Sequence, residues 1–127
     1  MLHKVVISLA SNYDQEQNLS EARHRLSQVL SSVSYTNELW TEPVKSVPSA
    51  TSLNRLYLNQ LAYAFTSWDC SRLEQEMKDM EIAMGRSQND RKAGVVRIDL
   101  DLMQYDDERH HLRDWERPYI KALLKQG

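Results

Sequence analysis

The stretch RIDLDLMQY, residues 97–105, carries two carboxylates two residues apart. Asp99 and Asp101 alternate with Ile98, Leu100 and Leu102, so a strand here would present its apolar even positions to a core and both acids on the opposite face. Side chains two apart on one strand face sit roughly 7 Å apart at Cα. From there they can converge on one or two divalent ions, and Mg²⁺ is usually held by one or two carboxylates plus phosphate oxygens. The same spacing also suits a solvated strand face with Arg97 as the counter-ion of Asp99. Basic residues gather just upstream, at Arg86, Arg91, Lys92 and Arg97. Guanidinium forks match phosphate oxygens. There is no glycine-rich cradle, which excludes a P-loop, so side chains and metal would have to hold the phosphates. Carboxylate pair and basic stretch together point to phosphoryl transfer.

A second pair lies in LYLNQLAYAFT, where Tyr57 and Asn59 share one phase of a strand. A tyrosine ring can stack on a flat heterocycle, and an asparagine amide can read a donor–acceptor edge. A core tyrosine beside a cross-strand polar residue is the other reading. His3, His24, His110 and His111 are scattered; the adjacent pair at 110–111 diverges unless the backbone turns there. The lone Cys70 has no metal-ligand spacing along the chain and is expected to be a structural thiol. No Ser/His/Asp or Cys/His arrangement is readable.

These residues need elements to position them. KVVISLA (Lys4–Ala10) is a β-branched run and a buried strand. From Asn18 the apolar residues Leu19, Ala22, Leu26, Val29, Leu30 and Val33 keep helical spacing, with Asn18 and Glu21 as a capping-box variant. Ser32–Trp40 suits a strand, Thr41–Arg55 a loop, and Leu56–Thr66 a strand. Leu73, Met77, Met80 and Met84 form the apolar stripe of a helix over 67–85, capped by Ser67 or Asp69 and ended by Gly85. Residues 86–94 read as a loop, 95–105 as a strand and 106–114 as a charged turn. Residues 115–127 read as a helix with Pro118 near its start. The order β-α-β-β-α-β-α predicts an α+β, ferredoxin-like sandwich with an antiparallel sheet and helices mainly on one face.

The 127 residues suit one domain, 1–127, and a net charge of −2 calls for neither nucleic acid nor an anionic membrane. One cysteine and no long apolar run suggest a cytoplasmic protein. A monomer is expected.

Taken in order, the motifs resemble 6-hydroxymethyl-7,8-dihydropterin pyrophosphokinases of folate biosynthesis. SLASNY (8–13) is similar to the family's strand-end G-S-N segment, with Ala10 for glycine. WTEP (40–43), YLN (57–59), EIAMGR (81–86), the D-L-D strand and RPYI (117–120) resemble the family's successive motifs. The resemblance implies transfer of pyrophosphate from ATP to the pterin hydroxymethyl group, giving AMP, with two Mg²⁺ ions on Asp99 and Asp101. It places Tyr57 and Tyr119 on either side of the pterin, Asn59 at its amide edge, and Glu42, Pro43, Val44 and Lys45 beside the ring. It sets Glu81, Arg86, Leu102, Trp115 and Arg117 at the nucleotide. Ala93, Val96 and Gln88 stand where the family has tryptophan and two arginines. Arg86, Arg91 and Arg97 are therefore the candidate catalytic cations. The chain reads as a short variant without the usual C-terminal extension. Two alternatives share the motifs: a member that binds pterin or nucleotide without turnover, and a ferredoxin-like interaction module using its acidic strand face.

Overall fold

The computed structural model describes residues 1–43 and 56–126. The β-branched N-terminal run forms His3–Ser11 (β1), the central strand. Gln15–Val29 (α1) follows, then Ser31–Tyr35 (β2), Leu39–Thr41 (β3) and the long Tyr57–Thr66 (β4). Cys70–Ala83 (α2), Gln88–Lys92 (α3), Asp99–Tyr105 (β5), Glu108–Arg109 (β6), Leu112–Trp115 (α4) and Pro118–Leu124 (α5) complete the order. The strands make one antiparallel sheet, β2-β4-β1-β5-β6, with β3 also on β4. Its four principal strands, β2-β4-β1-β5, run in the ferredoxin-like order that the sequence predicts.

Alternation decides the two faces. Val5, Ile7 and Leu9 of β1, Leu58 and Ala62 of β4, and Leu100 and Leu102 of β5 pack against Leu19, Ala22 and Leu26 of α1 and Leu73, Met77 and Met80 of α2. The methionine stripe is core, as its spacing predicts. Full burial of each such Leu or Ile contributes about 1.5–3 kcal/mol. The opposite face is not bare. Val6, Leu61 and Met103 meet Trp115, Ile120 and Leu123 in a second, smaller core. Helices therefore pack on both faces, and α4–α5 cover part of the face that carries the aspartates.

Several boundaries move for local reasons. The first helix begins at Gln15, since its polar Gln-Glu-Gln turn has good helix formers but no apolar period to read. Asn18 is not its cap; its side-chain amide donates to the Tyr13 carbonyl at 2.6 Å. Val33 keeps helical spacing by coincidence and belongs to β2. The strand expected over 32–40 is split, because the Thr36 hydroxyl takes the Leu61 N–H at 3.0 Å in place of a ladder partner. Asp69, not Ser67, caps α2, accepting from the Arg72 N–H at 2.8 Å. Within the expected 86–94 loop, α3 forms under a Ser87 cap. The helix expected over 115–127 is the shorter α5, opened by Pro118, while β6 and most of α4 form within the expected 106–114 turn. No helix among the described residues is long and apolar enough to cross a membrane.

Candidate active site

The site is built across three strands in register. Asn59 on β4 stands opposite Ala10 on β1, and Ala10 stands opposite Asp99 on β5. Ser8 stands opposite Asp101 in the same way. Strands lie about 4.8 Å apart, so Asn59 and Asp99 are two strand spacings apart with only a methyl group between them. The small side chains at 8 and 10 make a floor, and the polar groups stand at its edges.

The carboxylates repel one another. Asp101, about one-third exposed, has its carboxyl pushed up to about 6 by burial and by the Asp99 charge. Asp99 reaches solvent but stands in a recess whose walls exclude water, which raises its carboxyl; Arg86 opposes the shift. Asp114 of α4 is a third acid acting on both, and it accepts from Arg117 Nε at 2.9 Å. His111 lies 3.8 Å from Asp101. A left-handed backbone at His111, φ 53°, supplies the turn that separates the two adjacent histidines.

Three recesses meet at Asp99. One, about 340 Å³, is walled by Tyr57, Asn59, Tyr119 and Arg117, with Glu42 and Pro43 at its rim. A second, also about 340 Å³, lies toward Arg86, Arg91 and Arg97. Both reach the lower end of the range for small-molecule sites. A third, about 240 Å³, runs beneath α2 between Glu74, Lys78, Glu81, Leu102 and His111. In the first, the Asn59 amide nitrogen donates to the Thr41 hydroxyl at 2.8 Å and the Leu39 carbonyl at 3.1 Å. Among the described residues its carbonyl oxygen is thus the atom offered to a ligand.

The basic wall rests on two clamps. Asn12, buried at the end of β1, takes the Val96 N–H on Oδ1 at 2.6 Å and donates to the Gly94 carbonyl at 2.9 Å. It thereby ties the segment before β5 to the central strand. Glu81, also buried, accepts from Arg86 at 2.7 Å and from the Leu100 N–H at 2.8 Å. It joins α2 to β5 and aims Arg86 between two recesses.

Arg97 corrects an expectation. It precedes β5 and does not neutralise Asp99. Its guanidinium pairs with Asp90 of α3 through contacts of 2.7 and 3.3 Å and lies 4.9 Å over the Tyr13 ring. Gly85, at φ 105°, leaves the room this needs, since a Cβ there would stand 3.1 Å from Arg97 Cδ. Arg97→Ala is expected to raise KM for ATP about tenfold while moving the melting temperature by only a few degrees, as for a pair near the surface whose arginine is about one-third exposed. Nucleotide titration and thermal melting check this; a large melting loss with an unchanged KM would make the arginine purely structural.

Of the other expected residues, Trp115 is not at a recess. It is 7% exposed in the smaller core, with Nε1 donating to the His110 carbonyl and Arg109 4.0 Å over its ring. Leu102 is core and only borders the third recess. Val44 and Lys45 lie outside the described residues. Asn12, Asp90 and Asp114 were not singled out from the sequence, and His111 was named only as half of an adjacent histidine pair, not as a site residue. Asn12 sits in the quoted SLASNY motif, but Asp90, Asp114 and His111 are ordinary polar residues in charged stretches until the fold brings them in.

The family model for 7,8-dihydro-6-hydroxymethylpterin-pyrophosphokinase matches residues 6–126, nearly the whole chain. The chain belongs to this family. A comparison with curated proteins finds no significant match. In this member of the pterin pyrophosphokinase family, Asp99 stands where the three recesses meet and Asp101 lines two of them. On the basic side Val96 lines the wall and Arg86, Arg91 and Arg97 are the cations.

Proposed function

We propose that the protein transfers the β,γ-pyrophosphoryl group of ATP to the hydroxymethyl oxygen of 6-hydroxymethyl-7,8-dihydropterin. The observation that carries this is the meeting of an aromatic–amide recess and an arginine-lined recess at Asp99. In this reading Tyr57 and Tyr119 hold the pterin ring and the Asn59 carbonyl accepts from its amide edge. Arg86, Arg91 and Arg97 take phosphate oxygens. Asp99 and Asp101 are hard oxygen donors in mutual repulsion, which fits Mg²⁺, and two ions there would neutralise the triphosphate. The hydroxymethyl oxygen bonds to the β-phosphorus, and the bond from that phosphorus to the α–β bridging oxygen breaks. AMP leaves with the bridging oxygen, and the hydroxyl proton is released. The protein's part is positioning and charge neutralisation, with no nucleophile of its own.

The test is AMP formation from ATP and the pterin, by the wild type and by Asp99→Ala. Wild-type turnover that falls at least about 10²-fold in the variant is the expected result. A wild type that binds both ligands without forming AMP indicates a non-catalytic member, and one that binds neither indicates an interaction module.

A further inference from the structure

A second cluster of metal-ligating groups lies away from the aspartates. Cys70 opens α2, Glu74 is one turn further along the same helix, and His110 comes from the segment after β6. One ligand atom from each lies within 4.8 Å of the other two. The Cys70 thiol donates to a Glu74 oxygen at 3.6 Å. Ligands bonded to zinc at about 2.0–2.3 Å and a tetrahedral angle stand roughly 3.5 Å apart, so this pair already has the spacing of a shared ion. Glu108 supplies a further carboxylate, 2.9 Å from His110 Nε2. The backbone N–H of His110 is tied to the Met103 carbonyl at 2.9 Å, which anchors the histidine to the sheet.

We propose that Cys70, Glu74 and His110 bind a divalent transition metal of the zinc class, with Glu108 or water as fourth ligand. The chemistry separates this site from the aspartate pair. Thiolate and imidazole favour zinc-like ions, whereas an all-carboxylate pair favours Mg²⁺. Binding forms the sulfur–metal bond and releases the thiol proton to solvent, so affinity should rise with pH. An occupied site would join the first turn of α2 to the residue preceding His111.

Cys70 is the only cysteine, so thiolate signals have one source. Titration of the full chain with Co²⁺ under reducing conditions should give a thiolate-to-cobalt near-ultraviolet band that saturates at one equivalent. Zn²⁺ should remove it and millimolar Mg²⁺ should not. Cys70→Ser should abolish the band, and His110→Ala should weaken cobalt binding at least tenfold. One equivalent of Zn²⁺ should also slow alkylation of Cys70 in the wild type at least tenfold, a measurement that needs no variant. Absence of the band in the wild type, an unchanged cobalt affinity in folded His110→Ala, or unslowed alkylation overturns the proposal.

Discussion

Asp101→Asn is expected to make the ligand-free protein more stable at neutral pH while removing its turnover. Burial and the neighbouring Asp99 push the Asp101 carboxyl up to about 6, against an ordinary value of 3.8. The folded state therefore binds this proton more tightly than the unfolded chain does. Its stabilising contribution is complete below about pH 4 and is lost as pH rises through about 6. Asp99 and Glu81 are raised as well, so they act in the same direction. At pH 7 the ionised Asp101 costs on the order of 1–2 kcal/mol, after discounting for its partial exposure. Neutral asparagine removes that cost. We expect a melting temperature about 5 °C above wild type in a metal chelator, and AMP formation reduced about 10²–10³-fold. The wild type without Mg²⁺ should melt progressively lower between pH 4 and 7, and millimolar Mg²⁺ should flatten that slope. Melting scans over pH with and without Mg²⁺ measure both effects. A variant that melts below wild type in chelator at pH 7 would show that the charge is already compensated within the protein.

Glu81→Ala is expected to be the most damaging single change at the site. The carboxylate accepts from the Leu100 N–H and from Arg86 while only 4% exposed. Truncation strips a partner from a buried backbone N–H beside Asp99 and frees Arg86. The loss should be about 2–3 kcal/mol, since hydrogen bonds to charged groups are worth about 1.5–3 kcal/mol and an orphaned buried donor adds to that. A drop of roughly 10 °C in melting temperature follows. Glu81→Gln separates the two roles. Its amide oxygen can still accept from Leu100, so most of the stability should remain. The ionic hold on Arg86 is gone, so KM for ATP should rise. Equal melting of the alanine variant and the wild type would mean that Glu81 does not join α2 to β5.

The sheet, its two long helices and the face on which the aspartates stand were all legible in the sequence. Each depends on local periodicity: two for Ile98, Leu100 and Leu102, three to four for Leu73, Met77 and Met80. Period alone fixes which side chains share a face, whatever they later pack against. It does not report the partner. Arg97 is in phase with Asp99, yet its guanidinium turns to Asp90, because the chain is still outside the strand at 97 and α3 brings a carboxylate close. Trp115 has the aromatic surface for a ligand, but α4–α5 fold back over Met103 and bury it.

The sequence by itself determined that two carboxylates would share one face of a strand, with an aromatic–amide pair on another and arginines just upstream. Spacing and residue type carry that much; that the strand begins only at Asp99 was the structure's to decide. Only the tertiary structure decided that Asn59, Ala10 and Asp99 form one row, and that Asp114 and His111 join the acids. It also decided that His110 meets Cys70 across 40 residues of chain while its neighbour His111 faces Asp101. The reason is physical. Strand register and a left-handed turn at His111 direct these side chains, and both are set by contacts between segments far apart in the chain.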